Sequence, residues 1–365
     1  MKNMNIQNNI SLKKFNTFGI DVMARYFATF NSVETLQELS DFRKPPTSNL
    51  KLQTSNHQPQ TSNLKPQTII LGGGSNILFT KNVDGLVLKN EISGIQKISE
   101  DEEHIYVKAG AGESWHRFVL YCLENNYAGV ENLALIPGSV GASPMQNIGA
   151  YGVEIKDVFH SLEAWHIAEK KIMVFDKAAC SFGYRESIFK NKYKGEFIIT
   201  SVTYQLKKKP EFNTSYGAIE AELEKNKVTF KTIQAIAQAV INIRSSKLPD
   251  PKIIGNAGSF FKNPEIGSDQ YAALTQKFTG IVGYDLPNGN VKLAAGWLIE
   301  HSAPAGASSW KGYRKGDAGC HERQALVLVN YGKAKGSEIF ELSAQILESV
   351  YNKFNVHLER EVNIF

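Results

Sequence analysis

The stretch ENLALIPGSVGASPMQNIGAYG, residues 131–152, has few side chains that could pack a hydrophobic core. Glycines, alanines and prolines recur along it, together with Asn132 and Asn147. A structured segment this bare usually allows the backbone to approach a ligand closely. The stretch therefore predicts a loop that binds a ligand through its backbone.

A second glycine loop, LGGGSN at 71–76, follows an apolar strand. Its backbone N–H groups could hold a diphosphate, although it matches neither GxGxxG nor the P-loop. Alone, it is more typical of an ordinary structural turn. Two separated glycine loops in apolar surroundings suit a long ligand with a diphosphate in its middle, as in FAD. Neither loop contains His or Cys, which favours non-covalently bound FAD.

The composition is that of an ordinary globular protein of 365 residues, 42% apolar and 21% charged, long enough for two or three domains. The net charge of +5 suits an anionic small molecule. No dense block of Lys and Arg is present, so we expect neither nucleic acid nor an anionic membrane as partner.

Three cysteines, Cys122, Cys180 and Cys320, are far apart and form no CxxC motif. This pattern predicts neither a disulfide framework nor a metal site. The first 20 residues have no apolar region of the signal-peptide kind, and no apolar run approaches the roughly 18 residues of a membrane span. We therefore expect a cytoplasmic protein without membrane insertion.

Residues 47–68 form a tandem repeat of seven residues, TSNLKLQ, TSNHQPQ and TSNLKPQ followed by Thr68. Apolar a and d positions are missing and two copies contain proline, which excludes a coiled coil. The composition is that of a solvated linker. We interpret the repeat as an insertion in a surface loop whose deletion leaves function intact; a partner-binding motif is the alternative.

The remaining sequence alternates strand and helix patterns. Strands are predicted at 68–71, 83–90, 104–112, 158–168, 171–176, 196–206, 325–330 and 356–364. Helices are predicted at 114–126 with Ser114 as cap, at 229–251 ending before Pro249, at 292–301, and at 337–354 with Ser337 as cap. The mixture indicates several α+β domains.

Several long motifs occur in one order that resembles a known family. They are IPGSVGASPMQNIGAYG (136–152), SFGYRESIF (181–189), KLPDPKIIGNAGSFFKNP (247–264), KLAAGWLIE (292–300) and FNVHLEREV (354–362). Together they resemble the UDP-N-acetylenolpyruvoylglucosamine reductases, flavoenzymes that complete UDP-N-acetylmuramate for peptidoglycan. SYGAIE (215–220) is similar to the tyrosine loop of the longer type within this family.

The resemblance implies an α+β fold with a two-part FAD-binding region of the vanillyl-alcohol-oxidase-like type and a smaller α+β substrate-binding domain. The implied boundaries are 1–95 (with an insertion at about 43–67) and 96–228 for FAD binding, 229–354 for substrate binding, and 355–365 for a strand returning to the active site. We expect a monomer. The implied FAD-binding residues are Gly72, Gly73, Gly74, Ser75, Asn76, Pro137, Gly138, Ser139, Gly141, Ala142, Asn147, Gly149, Ala150 and Tyr151.

The reaction implied by the resemblance has two halves. NADPH reduces FAD, and flavin N5 then delivers hydride to the enolpyruvyl group of UDP-N-acetylglucosamine enolpyruvate. Negative charge builds on the adjacent carbon and spreads into the substrate carboxylate. The protein therefore needs cationic groups aimed at this charge and an acid that protonates the carbon.

Three residues match the family's catalytic positions. From the residues alone, Ser259 in GNAGSFFKNP (255–264) could be a nucleophile, a helix cap, a phosphate ligand or a proton donor; the resemblance implies a proton donor. We expect a dry site flanked by Phe260 and Phe261. Arg185 is implied to hold the substrate carboxylate in a bidentate grip, with a surface ion pair to Glu186 as the alternative. Glu361 is implied to assist enol formation.

The position before this glutamate departs from the family, because Arg360 stands where proline is usual. Strand alternation predicts that Arg360 points away from Glu361. An Arg360 curled into the site would instead favour the ionised form of Glu361. The implied substrate-binding residues are Tyr216, Lys247, Asn263, Lys311 and Gln324, with Lys315 as a substitute for Lys311 because the loop at 301–321 is longer than is usual.

Two other functions fit parts of the same sequence. One is an FAD-dependent oxidoreductase acting on a sugar or hydroxy acid. The other is a non-catalytic protein that binds a nucleotide sugar, which the joint presence of Ser259, Arg185 and Glu361 argues against.

Overall fold

Residues 5–40 and 68–365 are described by the structure, a computed structural model. The insertion predicted at about 43–67, and with it the heptad repeat except Thr68, lies outside these residues. No helix in the described ranges has the length and apolarity needed to cross a membrane.

The first sheet contains the strand that leads into the loop LGGGSN. Its strands are β1 (Gln7–Ser11), β2 (Met23–Phe30), β3 (Thr68–Leu71) and β5 (Val83–Asn90), in the order β1-β2-β5-β3. β5 pairs in parallel with both β2 and β3, so the loop starts at the carboxyl end of a parallel strand. Ligands of α/β sheets commonly bind at this end. The helix α1 (Val33–Ser40) contacts β2, and β4 (Ile77–Leu78) follows the loop.

The second sheet is antiparallel and has the order β11-β10-β12-β7-β6. Its strands are β6 (Ile95–Glu100), β7 (His104–Gly110), β10 (Phe159–His166), β11 (Lys171–Asp176) and β12 (Phe197–Lys207). The associated elements are α2 (Trp115–Glu124), β8 (Gly149–Ala150), β9 (Val153–Glu154), α3 (Ile155–Val158), α4 (Gly217–Lys225) and α5 (Ile233–Lys247). The stretch of residues 131–152 therefore follows α2 and ends in the short hairpin β8–β9.

The last part of the chain forms two smaller sheets and three helices. One sheet has the order β13-β19-β18-β17 and the other β14-β16-β15. The strands are β13 (Gly255–Ser259), β14 (Glu265–Ile266), β15 (Gly283–Asp285), β16 (Val291–Leu293), β17 (Arg314–Lys315), β18 (Ala318–Cys320) and β19 (Val327–Asn330). The helices are α6 (Ser268–Lys277), α7 (Ala295–Glu300) and α8 (Gly336–Phe354). The final strand, β20 (Asn363–Ile364), pairs in parallel with β4.

Two large hydrophobic cores hold these elements together. One core combines residues between 12 and 87 with residues between 257 and 362. The other lies within residues 105–243, where Trp115 and Phe118 of α2 pack against Tyr204 of β12. The first sheet therefore shares its core with the last part of the chain, and the distant segments that carry Ser259 and Glu361 are packed beside the loop LGGGSN.

Most predicted elements are confirmed, including the α+β mixture and the Ser114 cap, whose side-chain oxygen accepts from the N–H of Arg117. Three predictions are wrong in part. The helix predicted at 292–301 is β16 followed by the shorter α7. The N-cap of α8 is Lys335, not Ser337, and its N–H donates to Glu338 Oε2 at 2.7 Å. The strand predicted at 356–364 is reduced to a bridge at Arg360 and to β20.

Candidate active site

The two glycine loops lie directly against each other. Ser75 Oγ donates to the carbonyl oxygen of Pro137 at 3.1 Å. A Cβ added to Gly73 would lie 2.8 Å from Gly138 Cα, and one added to Gly138 would lie 2.9 Å from Ser75 Oγ. Glycine is therefore required where the backbones meet, and the sequence alone does not show that the loops touch.

The first loop has backbone donors available to a ligand. Among the hydrogen bonds of the described ranges, none uses the N–H of Gly73, Gly74, Ser75 or Asn76 as donor. Gly74 has a φ of +64°, which a residue with a side chain rarely adopts. Successive N–H groups in such a turn form an anion-binding concavity. This donor set fits the diphosphate of FAD.

The second loop reaches from this concavity to Arg185. Asn147 is fully buried, and its amide donates to Glu154 Oε2 at 3.0 Å and to the carbonyl oxygen of Gly183 at 2.9 Å. The carbonyl oxygen of Gly149 accepts from Arg185 Nη2 at 2.8 Å. The predicted FAD loop therefore also holds the turn that carries Arg185.

Arg185 and Glu361, 176 positions apart in the printed numbering, form an ion pair. Arg185 Nε lies 3.2 Å from Glu361 Oε1, and their side chains are only 19% and 12% exposed. The alternative, an ion pair between Arg185 and Glu186, is wrong, because the carboxylate of Glu186 binds Lys262 at 2.8 Å. The structure thus brings two of the three predicted catalytic residues into contact.

The Glu361 carboxyl has a second partner that sequence analysis missed. Gln146 Nε2 donates to Glu361 Oε1 at 3.2 Å, and Gln146 Oε1 accepts from Asn76 Nδ2 at 2.6 Å. Gln146 lies in the glycine-rich stretch, and its polar side chain among small residues was an available signal. Both predicted FAD loops therefore connect to Glu361.

Burial shifts the pKa of Glu361. It raises the pKa of the carboxyl, while the positive charges of Arg185, Lys190 and Lys262 oppose this rise. A carboxyl with a raised pKa stays protonated to higher pH and is a better acid near neutrality. The environment therefore suits the acid role that the resemblance implies.

Ser259 ends β13, and its side chain is exposed. The expectation that Phe260 and Phe261 flank this serine is wrong. Both rings are buried in the first core, where Phe260 packs against Phe18 with ring centroids 6.2 Å apart. The carbonyl oxygen of Phe260 accepts from the N–H of Glu361 at 2.8 Å, so the tail runs beside the segment that carries Ser259.

Arg360 points away from the Arg185–Glu361 pair, as strand alternation predicts. Its Nε donates to Ser343 Oγ at 2.7 Å, and its guanidinium lies 4.5 Å from the ring centroid of Phe340. Both partners belong to α8. Arg360 therefore fastens the tail to a helix and leaves Glu361 to the site.

The predicted substrate-binding residues have different surroundings. The ring of Tyr216, 43% exposed, stands edge-on to Tyr151 with centroids 5.2 Å apart. Asn263 Oδ1 accepts from the N–H of Ala295 at 3.0 Å, at the start of α7. Lys247 is exposed at the end of α5.

The two lysines of the loop at 301–321 also differ. Lys311 Nζ lies 2.8 Å from Glu300 Oε1. Lys315 instead lines a surface cavity of about 860 Å³ beside α8, together with Trp310. Gln324 Oε1 accepts from the N–H of Leu326 at 3.3 Å. None of these three contacts involves Arg185, Ser259 or Glu361.

Two family models match the chain. Residues 62–173 match the FAD binding domain, and residues 250–365 match the C-terminal domain of UDP-N-acetylenolpyruvoylglucosamine reductase. These matches cover the two glycine loops, Ser259 and Glu361. The prediction of an α+β fold with an FAD-binding region is confirmed.

Similar proteins extend the match to nearly the whole chain. The UDP-N-acetylenolpyruvoylglucosamine reductase of Flavobacterium johnsoniae is 47% identical over 99% of this chain and 100% of its own length. That of Amoebophilus asiaticus is 48% identical over 99% of both chains. The crystal structure of the corresponding reductase from Thermus caldophilus, at 21% identity, covers 99% of both chains with a TM-score of 0.64 and supports the same fold.

Proposed function

Since this chain belongs to the UDP-N-acetylenolpyruvoylglucosamine reductase family, we propose that it reduces UDP-N-acetylglucosamine enolpyruvate to UDP-N-acetylmuramate with NADPH. It is an FAD-containing oxidoreductase of peptidoglycan precursor synthesis. The observation that carries the detailed proposal is the 3.2 Å contact between Arg185 Nε and Glu361 Oε1 beside the segment of Ser259.

The bound cofactor supplies the hydride carrier between NADPH and the enolpyruvyl double bond. The backbone donors at 73–76 would hold its diphosphate, and the closely packed glycines of both loops keep those donors in place. The protein's remaining tasks are to orient the substrate, stabilise negative charge and deliver one proton.

Arg185 and Glu361 both act on the negative charge that develops on the substrate. Protonation of Glu361, favoured by burial, leaves the guanidinium charge of Arg185 available for the substrate carboxylate. As the carbon next to that carboxylate becomes electron-rich, Arg185 stabilises the charge that spreads into the carboxylate. The protonated Glu361 carboxyl donates a hydrogen bond to an oxygen of the substrate carboxylate.

Ser259 delivers the proton from its hydroxyl to the electron-rich carbon. An alcohol is a weak acid, but the carbon it protonates is strongly basic. Since the hydroxyl is exposed and the phenylalanine rings are in the core, we infer that the bound ligands exclude water from it.

Three further assignments complete the proposal. Tyr216 closes over the nucleotide sugar, and Lys247, Asn263, Lys311 and Gln324 contact it. The reaction takes place in the cytoplasm, which agrees with three buried, unpaired cysteines. The enzyme acts as a monomer, which agrees with the contact between Arg185 and Glu361 and the pairing of the Ser259 segment with the tail within one chain.

A visible spectrum of the purified protein tests the function. We expect an oxidised-flavin spectrum that NADPH bleaches and that the enolpyruvyl nucleotide restores under anaerobic conditions. A reduced protein that ignores this nucleotide but reacts rapidly with oxygen would instead indicate an oxidase acting on a sugar or hydroxy acid. A colourless protein that takes up no FAD would contradict both enzymes.

Ser259→Ala tests the proton donor. We expect flavin reduction by NADPH to remain near normal and the second half-reaction to slow by about 10² to 10⁴. Rapid-mixing absorbance measurements separate the two halves, and Ser268→Ala, an exposed serine of α6, serves as control. Equal losses in both halves would contradict the role of Ser259.

A further inference from the structure

A buried lysine lies next to the candidate site and has no role in the proposed reaction. Lys262 follows Ser259 by three residues, and its side chain is only 9% exposed. Its Nζ lies 2.8 Å from Glu186 Oε1 and 2.6 Å from Glu359 Oε1. One ammonium group thus joins two carboxylates from segments that are far apart in sequence.

The first carboxylate belongs to the turn that carries Arg185. Glu186 closes this turn through paired backbone hydrogen bonds with Gly183, of 3.0 and 3.3 Å. Arg185 between them has a φ of +58°, a conformation that side chains make unfavourable. Lys190 Nζ donates to the carbonyl oxygen of Arg185 at 3.1 Å and lies 3.5 Å from Glu186 Oε1. The strained turn is therefore held by Lys262, which contacts Glu186, and by Lys190, which contacts both Arg185 and Glu186.

The second carboxylate belongs to the tail that carries Glu361. The N–H of Lys262 donates to the carbonyl oxygen of Glu359 at 2.8 Å, and the N–H of Glu361 donates to that of Phe260 at 2.8 Å. These bonds align the backbones, and the Lys262 side chain adds an ion pair to the same tail. Lys262 thus lies where the segments of Arg185, Ser259 and Glu361 meet.

We propose that Lys262 is a positioning residue that holds Arg185 and Glu361 in register with Ser259, acting on Arg185 through Glu186. The inference rests on the proposed function, because it concerns the alignment of those three groups. Lys262 is buried, but Glu186 and Glu359 are 31% and 68% exposed, so these ion pairs add little stability and act mainly on the arrangement of the two segments. Misplacement of a catalytic group by about 1 Å can slow a reaction by about 100-fold.

The test compares Lys262→Met with Lys262→Arg in the FAD-loaded full chain. For Lys262→Met we expect NADPH to reduce the flavin within about 2-fold of the wild-type rate and the second half-reaction to slow by about 10- to 100-fold. Lys262→Arg retains the charge and should recover most of that loss. Lys108→Met is the matched control, since Lys108 forms a 2.7 Å ion pair with Glu163 on the second sheet. It should behave as wild type.

Glu186→Gln tests whether Lys262 acts through Glu186. It removes the charge and keeps the backbone turn, so it also carries the test if Lys262→Met does not fold. We expect Glu186→Gln to slow the second half-reaction, and the double variant to be no slower than the worse single variant. Additive losses, or a wild-type rate in Glu186→Gln, would overturn the inference.

A pH profile separates positioning from general stability. The positive groups facing Glu361 are Arg185, Lys190 and Lys262. Removing the charge of Lys262 should therefore raise the pKa of Glu361 further and shift the alkaline limb of the second half-reaction to higher pH. A loosened fold would not produce this shift. An unchanged limb would count against the inference. Wild-type turnover of the enolpyruvyl nucleotide tests the proposed function separately, so the two failures are distinguishable.

Discussion

Single residues in this site have functions that depend on partners from distant parts of the chain. The carboxyl of Glu361 contacts Arg185 and Gln146, which come from two other loops. Its neighbour Arg360 binds α8 instead. Two adjacent residues of the tail therefore have separate roles, one in chemistry and one in attachment.

The raised pKa of Glu361 predicts a pH dependence of the second half-reaction. Burial favours the protonated carboxyl, so its protonated fraction falls as pH rises through the raised pKa. If the protonated form assists enol formation, the rate falls in the same direction. We expect an alkaline limb in the rate of the second half-reaction, and Glu361→Gln should have a lower rate without that limb. A rate that rises with pH would show that the carboxylate is the active form.

The contacts of Arg360 predict a stability effect without a catalytic one. Arg360→Met removes the hydrogen bond to Ser343 and the contact with the Phe340 ring. The free energy of unfolding, measured by urea denaturation, should fall by about 1–2 kcal/mol while turnover stays near wild type. A large loss of turnover at unchanged stability would place Arg360 in the site.

At the scale of the elements, the helix ends show where sequence patterns suffice. Ser114 caps α2, and Thr232 Oγ1 caps α5 by accepting from the N–H of Ala235 at 3.1 Å. Ser337 also lies at the start of a helix but provides no cap, because α8 begins one residue earlier with Lys335 as N-cap. A serine near a predicted helix start is therefore insufficient to locate the cap.

The starts of α5 and α8 offer a matched pair of substitutions. Thr232→Ala removes a side-chain cap and should lower the free energy of unfolding by about 1 kcal/mol. Ser337→Ala should change it by less than about 0.5 kcal/mol. Thermal or urea denaturation checks both values. A larger loss for Ser337→Ala would contradict the observed helix start.

At the scale of the whole molecule, the first sheet region packs against the last part of the chain. Thr17 Oγ1 donates to the carbonyl oxygen of Asn256 at 2.6 Å, and Asn330 Nδ2 donates to that of Phe18 at 2.9 Å. The tail is fastened just after β4, where Thr80 donates to the carbonyl oxygen of Phe365 from its N–H at 2.7 Å and from Oγ1 at 2.8 Å. The position of Glu361 therefore depends on residues beyond it.

Removal of residues 363–365 tests this dependence. The truncation abolishes the β20–β4 pairing and the bonds from Thr80, so the free energy of unfolding should fall by about 2 kcal/mol or more. The second half-reaction should slow more than flavin reduction, because Glu361 loses its alignment. Asn363→Ala keeps the backbone pairing and should have a much smaller effect. Equal slowing of both halves would indicate general loosening of the fold.

Much of the site was predictable because its motifs are local. The glycine loops and the α+β elements follow from short stretches of sequence, whereas Arg185, Ser259 and Glu361 are candidates because the motifs that contain them resemble those of the family. The orientation of Arg360 also follows from strand alternation, a local rule. The division into domains at 95, 228 and 354 stays a prediction, and so do the roles of the substrate-binding residues.

Other features were settled only by tertiary structure. The contact between the glycine loops, the Gln146 hydrogen bond and the Lys262 bridge all join residues many positions apart. The exposure of Ser259 beside two buried phenylalanines likewise depends on which side of β13 the core occupies. The sequence by itself determines which chemical groups are present and which type of element each segment forms, because the element type depends mainly on neighbours along the chain. Burial and pairing depend on which distant surfaces pack together, and only the folded chain decides that.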